Sequence, residues 1–291
     1  MTMVDLSIII VNFNTKSLLV ECLKSLVEAT RSINSEIIVV DNGSTDNSIN
    51  EIRNSRLTLN NLKIIENNAN LGYAKANNLG IKASSGRYIL LLNSDTIVYP
   101  KTLTAMIQFL NMNPQVGVAT CRVELSNGEL DPACHRGFPT PWASLSYFLG
   151  LEKLFPKSEL FSQYHLGFLS IDKFHEIDSP TGAFYLIKKE VIDKVGLLDE
   201  DYFMYGEDLD WSYRIKAAGW KIMFNPEVKI IHFKKRSGRN QEDKNIRKMA
   251  KIQFFETMKI FYNKHYRHRY PTIITRIILS TINVKKSLII D

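Results

Sequence analysis

The chain has 291 residues, 45% of them apolar and 23% charged, a balance that supports a sizeable core and excludes disordered, fibrous and hormone-like classes. The formal net charge of +7 is unevenly placed: residues 1 to 233 carry 22 Lys and Arg against 26 Asp and Glu, whereas residues 234 to 291 carry 15 against 4. A mildly acidic body with a basic tail gives no support to nucleic acid as the partner of the body.

The opening stretch Met1 to Asn14 lacks a basic n-region, and its apolar run is too short for a signal peptide. No later segment reaches the roughly 18 uncharged apolar residues of a membrane span, so a cytoplasmic location is expected. Leu6 to Val11 is a continuous, β-branched apolar run, and Glu36 to Val40 and Tyr88 to Leu92 repeat the pattern, as strands covered on both faces should. Helical stretches lie between them, at Lys16 to Ala29, Asp46 to Asn54 and Gly72 to Ser84, which predicts an α/β sheet with right-handed crossovers. A helix from Lys101 to Asn111 then leads into a strand at Val116 to Val123. Pro132 to Pro180 is rich in aromatics, Pro and Gly with weak periodicity and reads as irregular and substrate-facing. Regular pattern returns at Ala183 to Ile187, Lys189 to Val195 and a helix from Glu207 to Ala218 ended by Gly219. Lys221 to Phe224 and Val228 to His232 read as two strands separated by Asn225-Pro226. Three cysteines, Cys22, Cys121 and Cys134, are an odd number without paired short spacing, against a disulfide framework or a thiolate zinc site and in keeping with a reducing compartment.

Each early strand ends in polar residues, and in open α/β sheets the carboxyl edge is where ligands bind. Asp41-Asn-Gly-Ser-Thr-Asp46 combines a strand-end carboxylate, able to accept from a base or ribose, with a glycine turn; Asp46 suits a helix cap, and strand ending alone also accounts for Asp41. Asn93-Ser94-Asp95 follows the run at Tyr88, and a lone carboxylate can hold Mg²⁺ or Mn²⁺ together with substrate phosphates, although a plain turn gives the same pattern. Tyr205-Gly-Glu207-Asp208-Leu-Asp210-Trp211 places three acids at a helix start, which the helix dipole favours by itself; Asp208 is positioned to act as a general base. His232 ends an apolar strand before a basic stretch, so it can complete a metal site or be structural, while His265 and His268 sit in a basic run where solvated surface is the default.

In order, Ser7 to Asn12, Ile38 to Asp46, Asn70-Leu-Gly-Tyr-Ala-Lys-Ala-Asn-Asn78, Leu91 to Asp95 and Phe203 to Asp210 resemble the motifs of a family 2 glycosyltransferase of the GT-A fold, in the bacterial branch that includes rhamnosyltransferases and galactofuranosyltransferases. The resemblance covers roughly the first 240 residues. It implies an α/β domain at 1 to 240, a mainly parallel sheet flanked by helices with a nucleotide-sugar half (1 to 100) and an acceptor half (101 to 240), followed by a helical basic tail at 241 to 291. It implies that Asp41 reads the nucleotide base, that Asn12, Asn14 and Asn78 line the nucleotide pocket, and that Asn93 and Ser94 lie beside the donor. Asp95 resembles the second acid of the D-x-D motif that holds a divalent metal, Mg²⁺ or Mn²⁺, while Asn93 replaces the first acid; His232 is similar to a metal- or diphosphate-contacting histidine. Asp208 matches the catalytic base with Glu207 beside it, and Thr181, Gly182 and Trp211 fall on the acceptor side. The implied activity is inverting transfer from a nucleotide-diphosphate sugar, dTDP-rhamnose or a UDP-sugar, to a saccharide or polyprenyl-linked saccharide in surface polysaccharide assembly.

In the tail, Ile246, Met249, Ile252, Phe255, Met258 and Ile260 recur at near-helical spacing among Lys and Arg, and after Pro271 the residues Ile273, Ile274, Ile277, Ile278 and Ile282 are expected on one face beside Arg276, Lys285 and Lys286. A basic amphipathic helix can lie in the interface of an anionic membrane, on the inner face of the cell membrane here, or pack with a solvated basic face. Two other classes stay open. A sugar-nucleotide nucleotidyltransferase needs a Gly-rich, Arg-containing loop after the first strand, where this chain has Asn-Phe-Asn-Thr-Lys; a non-catalytic sugar- or nucleotide-binding protein has no use for Asp208.

Overall fold

The structure is a computed structural model that describes residues 4–55, 57, 59, 61–234 and 244–290. Leu6–Asn12 (β1), Ser35–Asp41 (β2), Leu62–Glu66 (β3) and Tyr88–Asn93 (β4) form a parallel group in the order β3, β2, β1, β4. Lys16–Ala29 (α1), Ser48–Asn54 (α2) and Tyr73–Ala83 (α3) are the crossovers, and the Ile, Val and Leu side chains of β1, β2 and β4 are almost completely buried. Strand β3, Leu-Lys-Ile-Ile-Glu at the sheet edge, is short and only partly buried, and the sequence reading leaves it unassigned.

The second half adds Thr96–Val98 (β5), Thr102–Met112 (α4), Val116–Leu125 (β6), Pro141–Phe148 (α5), Leu151–Leu154 (α6), His175–Glu176 (β7), Phe184–Lys188 (β8), Lys189–Val195 (α7), Glu207–Ala217 (α8) and Lys221–His232 (β9). The sheet continues β4, β8, β6, β9, β5, with β7 pairing β9. Strand β8 is antiparallel to both β4 and β6, and β9 is parallel to β6. The carboxyl ends of β1, β2, β4 and β9 and the amino end of β8 therefore share one edge, and that edge carries nearly every expected site residue. The two strands expected around Asn225-Pro226 are one: β9 runs through, and the proline falls where the register against β6 shifts, a place where its missing N–H costs no ladder bond. The stretch expected to be irregular contains α5, whose Thr140 accepts at Oγ1 from the Ala143 N–H and whose Pro141 occupies the first turn, the cap-then-proline start that sterics favour.

Two buried polar clusters show how the frame is fixed. At the amino edge, the Glu36 carboxylate accepts from Ser7 Oγ (2.6 Å), Lys63 Nζ (2.6 Å), the Ser85 N–H (2.6 Å) and Ser85 Oγ (2.8 Å). Burial pushes its carboxyl up, but these donors outweigh it and bring it down to about 2. Behind α8, Lys244–His265 (α9) and Thr272–Ile290 (α10) close over a cluster of Tyr202, Leu209, Phe261, Tyr262 and Tyr266. Asp210, fully buried, accepts from Arg214 Nε (2.8 Å), His265 Nε2 (2.7 Å) and Lys264 Nζ (2.8 Å). His265 is thus a buried partner of the motif's third acid, not solvated surface, and the tail is anchored to the helix that carries Glu207 and Asp208.

Candidate active site

Asn12 and Asp41 sit abreast because β1 and β2 are paired in register at their last residues. Asn12 Nδ2 donates to Asp41 Oδ1 (2.8 Å) and Ser44 Oγ (3.0 Å), and the Ser44 N–H donates to Asp41 Oδ2 (2.9 Å). Asn14 takes the left-handed backbone, with φ 53, and its Oδ1 accepts from the Thr45 N–H (2.7 Å). Asp46 accepts from the N–H groups of Lys16 (2.8 Å) and Ser48 (3.0 Å), so one carboxylate serves the starts of both α1 and α2. Partial burial opposes ionisation there, but these bonds hold its carboxyl below the ordinary range. Thr15 Oγ1 donates to Asn12 Oδ1 (2.6 Å) and lies 2.8 Å from Ser94 Oγ, which extends the network from the ends of β1 and β2 to that of β4.

At the end of β4 the register places Thr96 opposite His232, so the Asn93 to Asp95 turn and the last residue of β9 meet. Asp95 Oδ1 lies 3.1 Å from His232 Nε2, and Asp131 Oδ2 lies 3.0 Å from His232 Nδ1. Lys234 Nζ reaches Asp131 Oδ1 at 2.8 Å, and Asn93 Nδ2 is 3.4 Å from His232 Nε2. Burial disfavours the imidazolium, but the flanking carboxylates of Asp131 and Asp95 override it and raise His232 to about 9. Asp131 is in turn held well below the carboxylate range by His232 and Lys234 against its burial. Asp95 Oδ2 is buried with no hydrogen-bond partner, which a strongly desolvated anionic oxygen tolerates only where a cation or donor completes it. Among the described residues no cluster of three His, Cys, Asp or Glu side chains is placed to hold an ion unaided; Asp95 and His232 offer two.

Across the edge, Thr181 and Gly182 lead into β8, and Tyr73 OH lies 3.0 Å from Asn93 Oδ1 and 3.1 Å from the Gly182 carbonyl. A Cβ on Gly182 would stand 2.7 Å from the Tyr73 hydroxyl oxygen, so the close approach requires glycine. Helix α8 begins after Gly206, at φ +79, and buries both Glu207 and Asp208. Arg136, buried, donates from Nη2 to Asp208 Oδ2 (2.5 Å) and to the Pro180 carbonyl (2.6 Å), while Asp208 Oδ1 accepts from the Leu209 N–H (2.8 Å). Desolvation opposes the guanidinium charge, and the adjacent Asp208 carboxylate more than restores it. Glu207 differs: burial, and then the charge of Asp208, push its carboxyl well above the ordinary range, and its Oε2 has no partner. One acid of the pair is held by a guanidinium, and the other is pushed toward its protonated form.

Two expected residues lie elsewhere. Asn78 is fully engaged with the loop after α7: its Nδ2 donates to the Leu198 carbonyl (2.8 Å) and Glu200 Oε1 (3.0 Å), and its Oδ1 accepts from the Leu198 N–H (3.1 Å). Trp211 is fully buried, stacked on Tyr185 at 5.3 Å with Nε1 donating to the Gly196 carbonyl (2.9 Å). The sequence reading in turn passes over Tyr73, Asp131 and Arg136. Tyr73 lies inside the Asn70 to Asn78 stretch and was within reach, whereas Asp131 meets a partner 101 residues away and Arg136 one 72 away, with no local pattern to signal either.

A family model described as glycosyl transferase family 2 matches residues 7–177. The chain is 26% identical over 232 residues to a low-salt glycan biosynthesis hexosyltransferase of Haloferax volcanii, covering 78% of this chain and 67% of that one. It is 25% identical over 212 residues to the N-acetylglucosaminyl-diphospho-decaprenol L-rhamnosyltransferase of Mycobacterium tuberculosis, covering 69% and 67%. Among solved structures, a mannosyltransferase from Pyrobaculum calidifontis in complex with GDP-Man and Mn²⁺ superposes with a TM-score of 0.60 at 17% identity, over 91% of this chain and 65% of that one. GalNAc-T7 with UDP, GalNAc and Mn²⁺ gives 0.61 at 18%, over 90% and 50%. These structures share the GT-A fold with this chain. Because the family match runs through the strand ends at Asn12, Asp41 and Asp95 and takes in more than half of the residues, the chain belongs to glycosyl transferase family 2.

Proposed function

We propose that the enzyme transfers a sugar with inversion from a nucleotide-diphosphate donor, dTDP-rhamnose or a UDP-sugar, to a hydroxyl of a saccharide or polyprenyl-linked saccharide used in surface polysaccharide assembly. The observation that carries this reading is the division of carboxylates along one sheet edge: Asp95 beside His232 on one side, Asp208 and Glu207 on the other, with Tyr73 between them. The rhamnosyltransferase relative makes dTDP-rhamnose the first donor to test.

Asp41 and Asn12 receive the nucleoside, with Ser44 and Thr15 holding their polar atoms in place. The buried, unpartnered Asp95 Oδ2 fits a hard divalent cation, Mg²⁺ or Mn²⁺, which takes few protein oxygens when a diphosphate supplies the rest, and the imidazole of His232 would join it only on giving up its Nε2 proton. Such an ion, when bound, supplies positive charge against the leaving diphosphate. Asp208 accepts the proton of the attacking hydroxyl. Its pairing with Arg136 aims it, and the proton moves late, because the hydroxyl becomes strongly acidic only as the new C–O bond forms. Glu207, whose Oε2 has no partner and whose carboxyl burial and Asp208 push toward its protonated form, faces the sugar or acceptor oxygen as a hydrogen-bonding group. The test is nucleotide release with a panel of sugar nucleotides, with and without Mn²⁺ or Mg²⁺, beside binding calorimetry. Asp208→Asn is expected to bind donor normally and lose about 10²- to 10⁴-fold in kcat, and Asp95→Ala to lose the metal response. Absence of sugar-nucleotide binding under every metal condition overturns the reading.

A further inference from the structure

Helix α10 has two apolar faces, not the one expected for Ile273, Ile274, Ile277, Ile278 and Ile282, because Ile273 and Ile277 lie about 100° or more around the helix from Ile278 and Ile282. One holds Thr275, Ile278 and Ile282 against the body, with Thr275 Oγ1 3.0 Å from the Tyr262 hydroxyl and Lys286 paired with Glu256 on α9. The other carries Ile273 (70% exposed), Ile277, Val284 and Leu288 (73% exposed). These stand at i, i+4, i+11 and i+15, which at 100° per residue fall within an arc of about 60° and form a stripe about 22 Å long. A second exposed apolar group lies on α5 and the loop and helix that follow it, at Leu145, Phe148, Leu149, Leu154 and Phe155. Lys285 Nζ of α10 stands 5.6 Å from the centre of the Phe148 ring, so the two groups border each other on one surface. Scattered exposed leucines are ordinary, but a contiguous patch of this kind marks a surface with a partner.

Charge identifies that partner. Residues 244–290 carry 11 Lys and Arg against a single acid, Glu256, which is already paired. A second copy of the chain would bring the same excess of positive charge to the contact, whereas an anionic lipid surface complements it. No helix among the described residues is long and apolar enough to cross a membrane, and the stripe of α10 faces outward along its length, the arrangement of a helix lying in an interface. We propose that the α5–α6 hairpin and the outer face of α10 together form a docking surface for the interfacial region of an anionic bilayer. The hairpin begins five residues after Arg136, which holds Asp208, so docking brings the acceptor side of the site to the membrane; this last step rests on the proposed use of a lipid-linked acceptor.

The test is co-sedimentation of the full chain with phosphatidylcholine vesicles and with vesicles containing phosphatidylglycerol, at low and high salt, alongside sedimentation equilibrium without lipid. Wild type is expected to partition onto the anionic vesicles and to release as salt rises. Ile277→Ser with Leu288→Ser, and separately Leu149→Ser with Leu154→Ser, should each weaken partitioning about tenfold or more. All four positions are exposed, and nucleotide release without vesicles should be unchanged in both variants, a readout that separates failure of docking from failure of the enzymatic reading. Wild-type partitioning by the hairpin variant overturns the shared surface. Indifference of wild type to anionic vesicles, or a lipid-free dimer that both variants dissociate, overturns the bilayer as partner.

Discussion

The cluster at the ends of β1 and β2 and the stretch of sheet edge from Asp95 to Glu207 are built on different principles. Around Asn12 and Asp41 the side chains satisfy one another through Ser44, Thr15 and Ser94, with contacts made between loops that directly follow paired strands. Around Asp95, Arg136 and Glu207, buried polar atoms are left open: Asp95 Oδ2, Arg136 Nε and Glu207 Oε2 have no partner. Buried polar atoms without partners are costly, so these three distinguish a stretch that a bound group can finish from the preassembled cluster around Asn12 and Asp41. The contrast also orders the expected effects of substitution, because removing a partner from an unfinished site exposes a charge that nothing else compensates.

The largest effect is expected at Arg136. Arg136→Met leaves the Asp208 carboxylate buried without its cation, and chemical denaturation should record a loss of about 3–5 kcal/mol, with nucleotide release abolished. A loss below 1 kcal/mol would show that Asp208 is solvated and would erase the asymmetry between the two regions. Asp131→Asn comes next. It removes the carboxylate that faces His232 Nδ1, and an outer partner of this kind is worth about 10- to 100-fold in metal affinity. Mn²⁺ titrations in the presence of nucleotide diphosphate should show that weakening, with donor-base selectivity unchanged.

How far each region could be read from sequence follows the same divide. The runs ending at Asn12, Asp41 and Asn93 are strands buried on both faces, and continuous Ile, Val and Leu can hardly form anything else at that length. A residue that ends such a strand is placed by the strand, so Asn12, Asp41 and Asp95 were legible with their edge. Pairing direction was not: nothing in Phe184–Lys188 distinguishes the antiparallel β8 from a fifth parallel strand. Trp211 shows the limit of motif proximity: it stands one turn along α8 from Asp208, yet its ring is stacked on Tyr185 and its Nε1 is taken by the Gly196 carbonyl, partners that the motif itself does not signal. His265 shows the limit of composition, since a basic run gave no sign that a buried Asp210 awaited it.

Glu36 supplies a control at the opposite edge, where every carboxylate contact is made. With its carboxyl lowered from 4.5 to about 2 in the folded chain, its contribution is fully present above about pH 4.5 and is lost as pH falls toward 2. Glu36→Gln should lower stability by about 1–3 kcal/mol at pH 7, and the difference from wild type should shrink below pH 4.5. A constant difference across that range would show that packing, not charge, is what Glu36 contributes.

The smallest effect is expected at Tyr73, which bridges the Asn93 to Asp95 turn and the loop before β8. Tyr73 bears one hydroxyl between Asn93 Oδ1 and the Gly182 carbonyl, and burial raises its pKa so that it stays a donor throughout the working range. Tyr73→Phe keeps the ring and removes one neutral hydrogen bond, a change of about 0.5–1.5 kcal/mol. If the hydroxyl only braces the backbone, that loss appears in stability and leaves kinetics alone. If it fixes the spacing between the Asn93 to Asp95 turn and the loop before β8, kcat falls while donor affinity holds, because each loop remains intact and only their separation is loosened. A fall in donor affinity alone would instead join Tyr73 to the cluster around Asn12 and Asp41 and extend that cluster toward α8.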